Sequence, residues 1–403
     1  MFDPVIDAIK AFFGMLWAFV LGVAMGIRRL ARFIGSSMTF RSPDPADPIS
    51  LWVKLRRFSD SVVLLVVFGW YGTYFYQALW IRGFSLLYPE AIVHASRFSP
   101  GHETTAPESG TADTKSCGRS QLVDMEIYLI RFEVDDNAFI PSLIQHKLGF
   151  FGIPWDDTPF FDRKSMFQKG VLKAVRRASI ELVDTLGRVR GTSSADPDLE
   201  VARGLLQYDM ETWRINPFDA RRPFLATPSD AVYRKAIPSF EAYNDRLAHC
   251  GALFDARRDN LGQLLDRLSK DLGSTVDELA KRSRSAQWDV RLKKFVSSEG
   301  NDLGFFDMRA DGMFWQAEGE AYAWHGLLQA ARADMIEAVD NQRLQEIWDS
   351  TESHVAEAII LNPLIVSNGP EDGLVMPAHL AALAQRILRA RANIVEMRDV
   401  LTR

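Results

Sequence analysis

Apolar residues follow two different patterns along this chain. Residues 11–27 and 61–81 are nearly uncharged runs, whereas beyond about residue 121 the apolar positions recur every third or fourth residue. The run from Ser61 to Ile81 is long enough as a helix for a hydrocarbon core of about 30 Å. The first run is shorter, but Val5, Ile6, Ala8 and Ile9 lengthen it to 5–27 if Lys10 snorkels to the interface. Its alternative is an amphipathic helix lying along the membrane surface. Gly14, Ala18, Gly22 and Gly26 recur at every fourth position of that segment, a small-residue stripe where a second helix or a second copy can approach. Gly69 and Thr73 give the second run a short counterpart. At its far end, Trp70, Tyr71, Tyr74, Tyr76 and Trp80 suit the headgroup layer.

Residues 99–120 contain almost no large apolar side chain and many Gly, Pro, Ser and Thr, a linker composition. The segment 122–134 fits either a strand or a helix face and is read as helix, because the segments after it are helical. Helices are expected over 160–188, over 311–338 and 341–361, and over 377–401, with a proline-rich loop at 190–228. Thr227-Pro228-Ser229-Asp230 reads as a helix start, with an N-cap hydroxyl and proline at N1. That helix is expected to run to Leu272, bent at Pro238 and ended by Gly273, with Ser274 and Asp277 capping the next. Asn362-Pro363 breaks the chain before the last helix. The fold class is therefore all-α, a helical-bundle-like domain at 121–403 tethered to one or two N-terminal transmembrane helices.

Charge orients this arrangement. Residues 1–60 hold eight basic and five acidic residues, so the net −5 of the chain becomes −8 for the remainder. The basic connector at 28–60 carries Arg28, Arg29, Arg32, Arg41, Lys54, Arg56 and Arg57, which by the positive-inside rule belongs in the cytoplasm. The helical domain is then expected in the periplasm of a bacterial inner-membrane protein. Asp3 and Asp7 precede the first run and Arg28-Arg29 follow it, the reverse of a cleaved signal peptide. The acidic exterior argues against nucleic acid, and membrane lipid is the expected contact of the spans and connector. Cys117 and Cys250 are expected as two separate thiols, with a disulfide as the alternative.

Chemistry is sparse. The seven histidines are scattered, with no HExxH and no close Cys/His cluster, and no GxSxG or phosphate-binding glycine loop is present. No metal or cofactor is expected. Glu352-Ser353 and Gly326-Leu327-Leu328-Gln329 resemble fragments of helical lytic transglycosylases, but in reversed order and without the intervening strip. One helix face is a candidate polar site: Glu318, Tyr322 and His325 lie at i, i+4 and i+7. Trp288, Phe305, Phe306, Phe314 and Trp315 are read as core aromatics.

The segments Ser194-Ala195-Asp196-Pro197-Asp198-Leu199, Tyr208-Asp209, Trp213, Phe254-Asp255-Ala256-Arg257-Arg258-Asp259-Asn260-Leu261 and Leu361-Asn362-Pro363 resemble the uncharacterised bacterial family catalogued as domain of unknown function 2333. The resemblance covers about 140–403 and implies a membrane anchor with a mainly helical exterior domain. It carries no catalytic residues. The expected role is structural or interactive within the cell envelope, with an envelope protein partner and a possible homo-oligomer. The alternatives are an enzyme acting on envelope glycan or lipid, and a ligand-sensing or transport-accessory module.

Overall fold

The computed structural model describes residues 51–79, 81–93, 117–150, 153–155, 161–188, 194–214, 226–284, 286–297, 308–369 and 376–403. The stripe Gly14, Ala18, Gly22 and Gly26, the segment 5–27 and most of the connector lie outside these residues. Two units are distinguished, Met1–Tyr74 and Phe75–Arg403. Helix α1 (Leu51–Leu79) runs across their boundary, and its portion Phe58–Leu79 is long and apolar enough to cross a membrane.

The second unit is mostly helical, as expected. Its elements are α2 (Tyr88–Ile92), α3 (Gln121–Arg131), α4 (Ile144–Leu148), α5 (Arg163–Glu181), α6 (Pro197–Leu206), α7 (Ser229–Arg234), α8 (Ala236–Ala248) and α9 (Arg258–Ser283). After a hairpin of β1 (Ala286–Asp289) and β2 (Lys294–Ser297) come α10 (Met308–Asp334), α11 (Ile336–Asn341), α12 (Gln345–Ile359) and α13 (His379–Leu401). Helix α10 is the axis of this unit. It packs against α5, α3 and α12, while α9 and α13 pair along their length. It has no solvent-facing stripe because most of its residues, polar ones included, are buried, and small residues such as Ala317, Ala321, Ala323, Ala330 and Ala331 let its neighbours pack closely. At the crossing with α5 the two backbones touch. A Cβ at Gly319 would sit 2.0 Å from the Phe167 carbonyl oxygen, and one at Gly170 would sit 2.0 Å from that of Gln316. Only glycine fits at both positions.

Several sequence expectations are corrected. The helix expected from 229 to 272 is three helices. The first break falls at Lys235, where the Pro238 ring cannot coexist with a helical carbonyl at Arg234. The second lies at His249–Arg257, where Cys250 adopts a left-handed φ of 59°. Gly273 ends nothing; it lies inside α9, where a Cβ would come 2.9 Å from Arg391 Nε of α13. Arg391 in turn donates to the Ser269 carbonyl at 2.9 Å. The loop expected at 190–228 contains α6, whose N-cap Asp196 accepts from the Asp198 amide at 3.0 Å, with Pro197 at the first helical position. Residues 286–297, expected to be helical, form the hairpin.

The cysteines are also corrected. Cys117 and Cys250 form a disulfide, with their Cα atoms 5.5 Å apart. Cys250 lies past the end of α8 rather than on it. Cys117 precedes a pinned strand of chain: the Ser120 amide donates to Asn244 Oδ1 at 2.7 Å, and Arg119 pairs with Asp124 at 2.8 Å and with Asp245. Closing a loop over 133 positions removes about 5 kcal/mol of chain entropy from the unfolded state.

The second compact unit runs from Phe75 to Arg403 and so includes residues that precede the helical domain expected at 121–403. Within residues 81–93, Tyr88 is a core residue, and Ile81, Leu86, Ile92 and Val93 pack against the core. The Tyr88 hydroxyl donates to the Tyr322 carbonyl at 2.7 Å and accepts from the Gly326 amide at 3.0 Å.

Candidate functional site

The polar face expected on α10 is real as a helix face, but its three members enter three different environments. All three are buried. Tyr322 is the hub of an aromatic stack, its ring centroid 4.6 Å from Tyr88, 5.1 Å from Phe84, 5.5 Å from Phe167 and 5.6 Å from Phe132. His325 Nε2 lies 3.1 Å from the Leu86 carbonyl and 3.2 Å from Gln329 Nε2. Burial lowers its pKa, so the neutral ring is favoured. The segment 84–93 thus covers the Tyr322 and His325 end of this face.

Glu318 belongs to a different group at the other end of α10. It lies near Arg163, the first residue of α5, whose guanidinium stacks 3.7 Å from the centroid of Trp315 and donates to Asn362 Oδ1 at 2.7 Å. Trp315 Nε1 donates to Asp311 Oδ1 at 2.5 Å, and Asp162 also lies in this neighbourhood. Desolvation pushes Glu318 up to about 8, with the Arg163 charge opposing, and pushes Asp311 up to about 6. Burial thus favours the neutral form of the Glu318 carboxyl. Asp162 and Arg163 could not be joined to Glu318 from sequence, because the contact depends on how α5 crosses α10.

Further buried carboxyls line the same interior. Glu320 accepts from Thr275 Oγ1 at 2.7 Å and Lys173 Nζ at 2.9 Å, a polar bridge joining α10 to α9 and α5. Asp334 accepts from Ser120 Oγ at 2.6 Å and from the amides of Gln121 and Leu122 at 2.8 and 2.9 Å, so it caps the start of α3 from the end of α10. Glu133 is pushed up to about 8 by burial, with Lys164 opposing. Glu320 and Asp334 each tie one helix to another. Among the described residues no group of three or more His, Cys, Asp or Glu is arranged to hold a metal ion.

The transglycosylase-like fragments are separated in role. Leu327 and Leu328 of the GLLQ strip are core residues, and Glu352 on α12 lies 3.5 Å from Arg332, which also pairs with Asp349 at 2.6 Å. Of the aromatics read as core, Phe314 and Trp315 are buried, Phe305 and Phe306 lie outside the described residues, and Trp288 is a correction. It stands exposed on the hairpin, whose principal packing is β1 on β2. A more open cleft of about 170 Å³ is lined by His146, Lys147, Leu148, Gly149, Pro154, Trp155 and Glu211. Lys147 and Lys169 both bind Glu211, at 2.5 and 2.7 Å, and hold its carboxylate down at about 2.

No curated protein and no solved structure matches the chain. The family model described as an uncharacterised protein conserved in bacteria, DUF2333, matches residues 149–403. That span is well over half of the chain, and the protein belongs to this family.

Proposed function

We propose that the protein is anchored in the bacterial inner membrane, faces the periplasm with its helical unit, and serves a structural or interaction role in the cell envelope. One observation carries the location: the same chain holds the Cys117–Cys250 disulfide and the bilayer-length helix Phe58–Leu79. Disulfides persist in oxidising compartments, and the basic residues at 28–57 favour a cytoplasmic side for the preceding connector. The role is supported by how the polar interior is used. Glu320 and Asp334 join helices, and Tyr322 and His325 hold the segment 84–93. An envelope protein partner, or a second copy meeting along Gly14, Ala18, Gly22 and Gly26, belongs to this reading.

Reporter fusions after Ile81 and at the C-terminus test the location. Periplasmic-active reporters and a disulfide that shifts on reduction are the expected results; cytoplasmic reporters with alkylatable thiols in the native cell overturn it. In-cell crosslinking followed by pull-down tests the role, and recovery of no envelope protein alongside measurable glycan turnover overturns that half. A second reading, an envelope enzyme, draws on the neutral Glu318 carboxyl beside Arg163. Loss of cellular function in Glu318→Gln with unfolding unchanged would favour it.

A further inference from the structure

We infer that the hairpin of residues 286–297 docks on an anionic phospholipid surface. The two strands pair in antiparallel register, Trp288 opposite Phe295 and Asp289 opposite Lys294. Trp288 and Phe295 therefore share one face, with ring centroids 5.2 Å apart. The hairpin's principal packing is strand on strand, so its apolar side chains stay uncovered. Relative exposures are 49% for Trp288, 78% for Val290, 58% for Leu292 and 71% for Phe295.

Charge decides what covers them. Arg291, Lys293 and Lys294 are exposed around the tip. The single acid of the segment, Asp289, is spent on the turn, where its Oδ1 accepts from the Arg291 and Leu292 amides at 2.7 and 3.0 Å. The hairpin carries a net +2, and Lys281, Arg282 and Arg284 precede it, within a portion of the chain that sums to −8 beyond residue 60. An anionic surface repels that portion generally and attracts it here, which would select one edge for contact. Interleaved Trp, Phe, Val and Leu with Lys and Arg suits the headgroup layer in particular: rings and aliphatic groups enter the acyl boundary while ammonium and guanidinium groups stay among the phosphates. The chain also carries a helix of bilayer length, so lipid is at hand. Docking of this kind lies beyond the proposed role and does not depend on which side of the membrane the helical unit occupies.

The test uses the full chain held in nanodiscs of pure phosphatidylcholine, mixed with separate vesicles of equal parts phosphatidylglycerol and phosphatidylcholine and then floated. The expected result is co-flotation with these vesicles and none with pure phosphatidylcholine vesicles. Arg291→Glu, Lys293→Glu and Lys294→Glu together should cut the co-floating fraction about tenfold or more. Trp288→Ser with Phe295→Ser should lower it as well, and both sets should leave the thermal midpoint of the helical unit unchanged. Wild-type nanodiscs that stay at the bottom of the gradient overturn the inference. So does hairpin-dependent clustering of nanodiscs without vesicles, which assigns the face to a second copy. Reporter fusions that put the helical unit in the cytoplasm would overturn the proposed location and leave this result standing.

Discussion

Helices α1 and α10 are of similar length, 29 and 27 residues, and neither has the apolar stripe of an ordinary surface helix. They lack it for opposite reasons. Along α1, large side chains such as Val62, Val63, Leu65, Val66 and Phe68 point outward uncovered. Along α10, Ala and Gly let neighbouring backbones close in, and polar residues such as Glu320 and Asp334 bond to neighbouring helices. Bulky apolar residues left uncovered are compatible with lipid as solvent, whereas small residues on every side suit close packing against protein. Glycine carries the contrast most clearly. Nothing lies within 4 Å of a Cβ placed at Gly69 or Gly72 of α1, while one at Gly319 would overlap the Phe167 backbone.

The largest effect that could break this comparison is Gly319→Val. Backbone cannot yield as a flexible side chain does, so we predict a loss of about 4 kcal/mol or more, with no cooperative unfolding of the helical unit by circular dichroism. A near-native transition would mean that α5 and α10 do not cross as described. Next is Asp334→Ala, which strips three accepted hydrogen bonds from the start of α3. About 2–3 kcal/mol should be lost in chemical denaturation, and Asp334→Asn should recover part of it.

The third concerns the buried acids of the interior. Glu318 and Glu133 rise from an ordinary 4.5 to about 8. The folded state then holds protons that the unfolded chain releases, so stability is fully present below about pH 4.5, falls as pH rises, and levels off above about 8. The slope contributed by each group is at most about 1.4 kcal/mol per pH unit. Urea midpoints measured from pH 5 to 8 should decline, and Glu318→Gln should flatten the decline; an unchanged slope would remove Glu318 as a contributor. The smallest effect is expected at Gly69→Ala and Gly72→Ala in α1, within about 0.5 kcal/mol for the helical unit. A larger shift would sharpen the comparison by revealing a protein partner on a face proposed to meet lipid.

Much of the architecture was legible in the sequence. The 3.6-residue rhythm located α5, α10, α12 and α13, and the uncharged run from Ser61 located the bilayer-length part of α1. Other features had a local signal that was outweighed. Asp196-Pro197 is a good helix start, hidden among the prolines of a presumed loop. Trp288, Val290 and Leu292 alternate with polar residues as a strand does, within a stretch taken as helical. Gly251, just past Cys250, marks the end of α8. The remaining features had no local signal. Gly273 looks like a terminator and is a crossing point, because the deciding atom belongs to Arg391, far along the chain. The cysteine pair likewise depended on where α8 delivers Cys250. At the candidate site, spacing put Glu318, Tyr322 and His325 on one face, but only tertiary packing divided them between an arginine-lined end and an aromatic stack.

The seating of residues 81–93 against α10 has a practical consequence. The stretch shared with the family starts at residue 149, yet Tyr88 and the whole of α3 lie before it and are built into the same core. Inheritance and folding thus draw their borders at different places. A fragment cut at 149, or even at 121, would leave an empty slot over Tyr322 where Phe84 and Tyr88 belong. Expressed alone, it should be sticky and short-lived, while one begun at Phe75 retains its own lid.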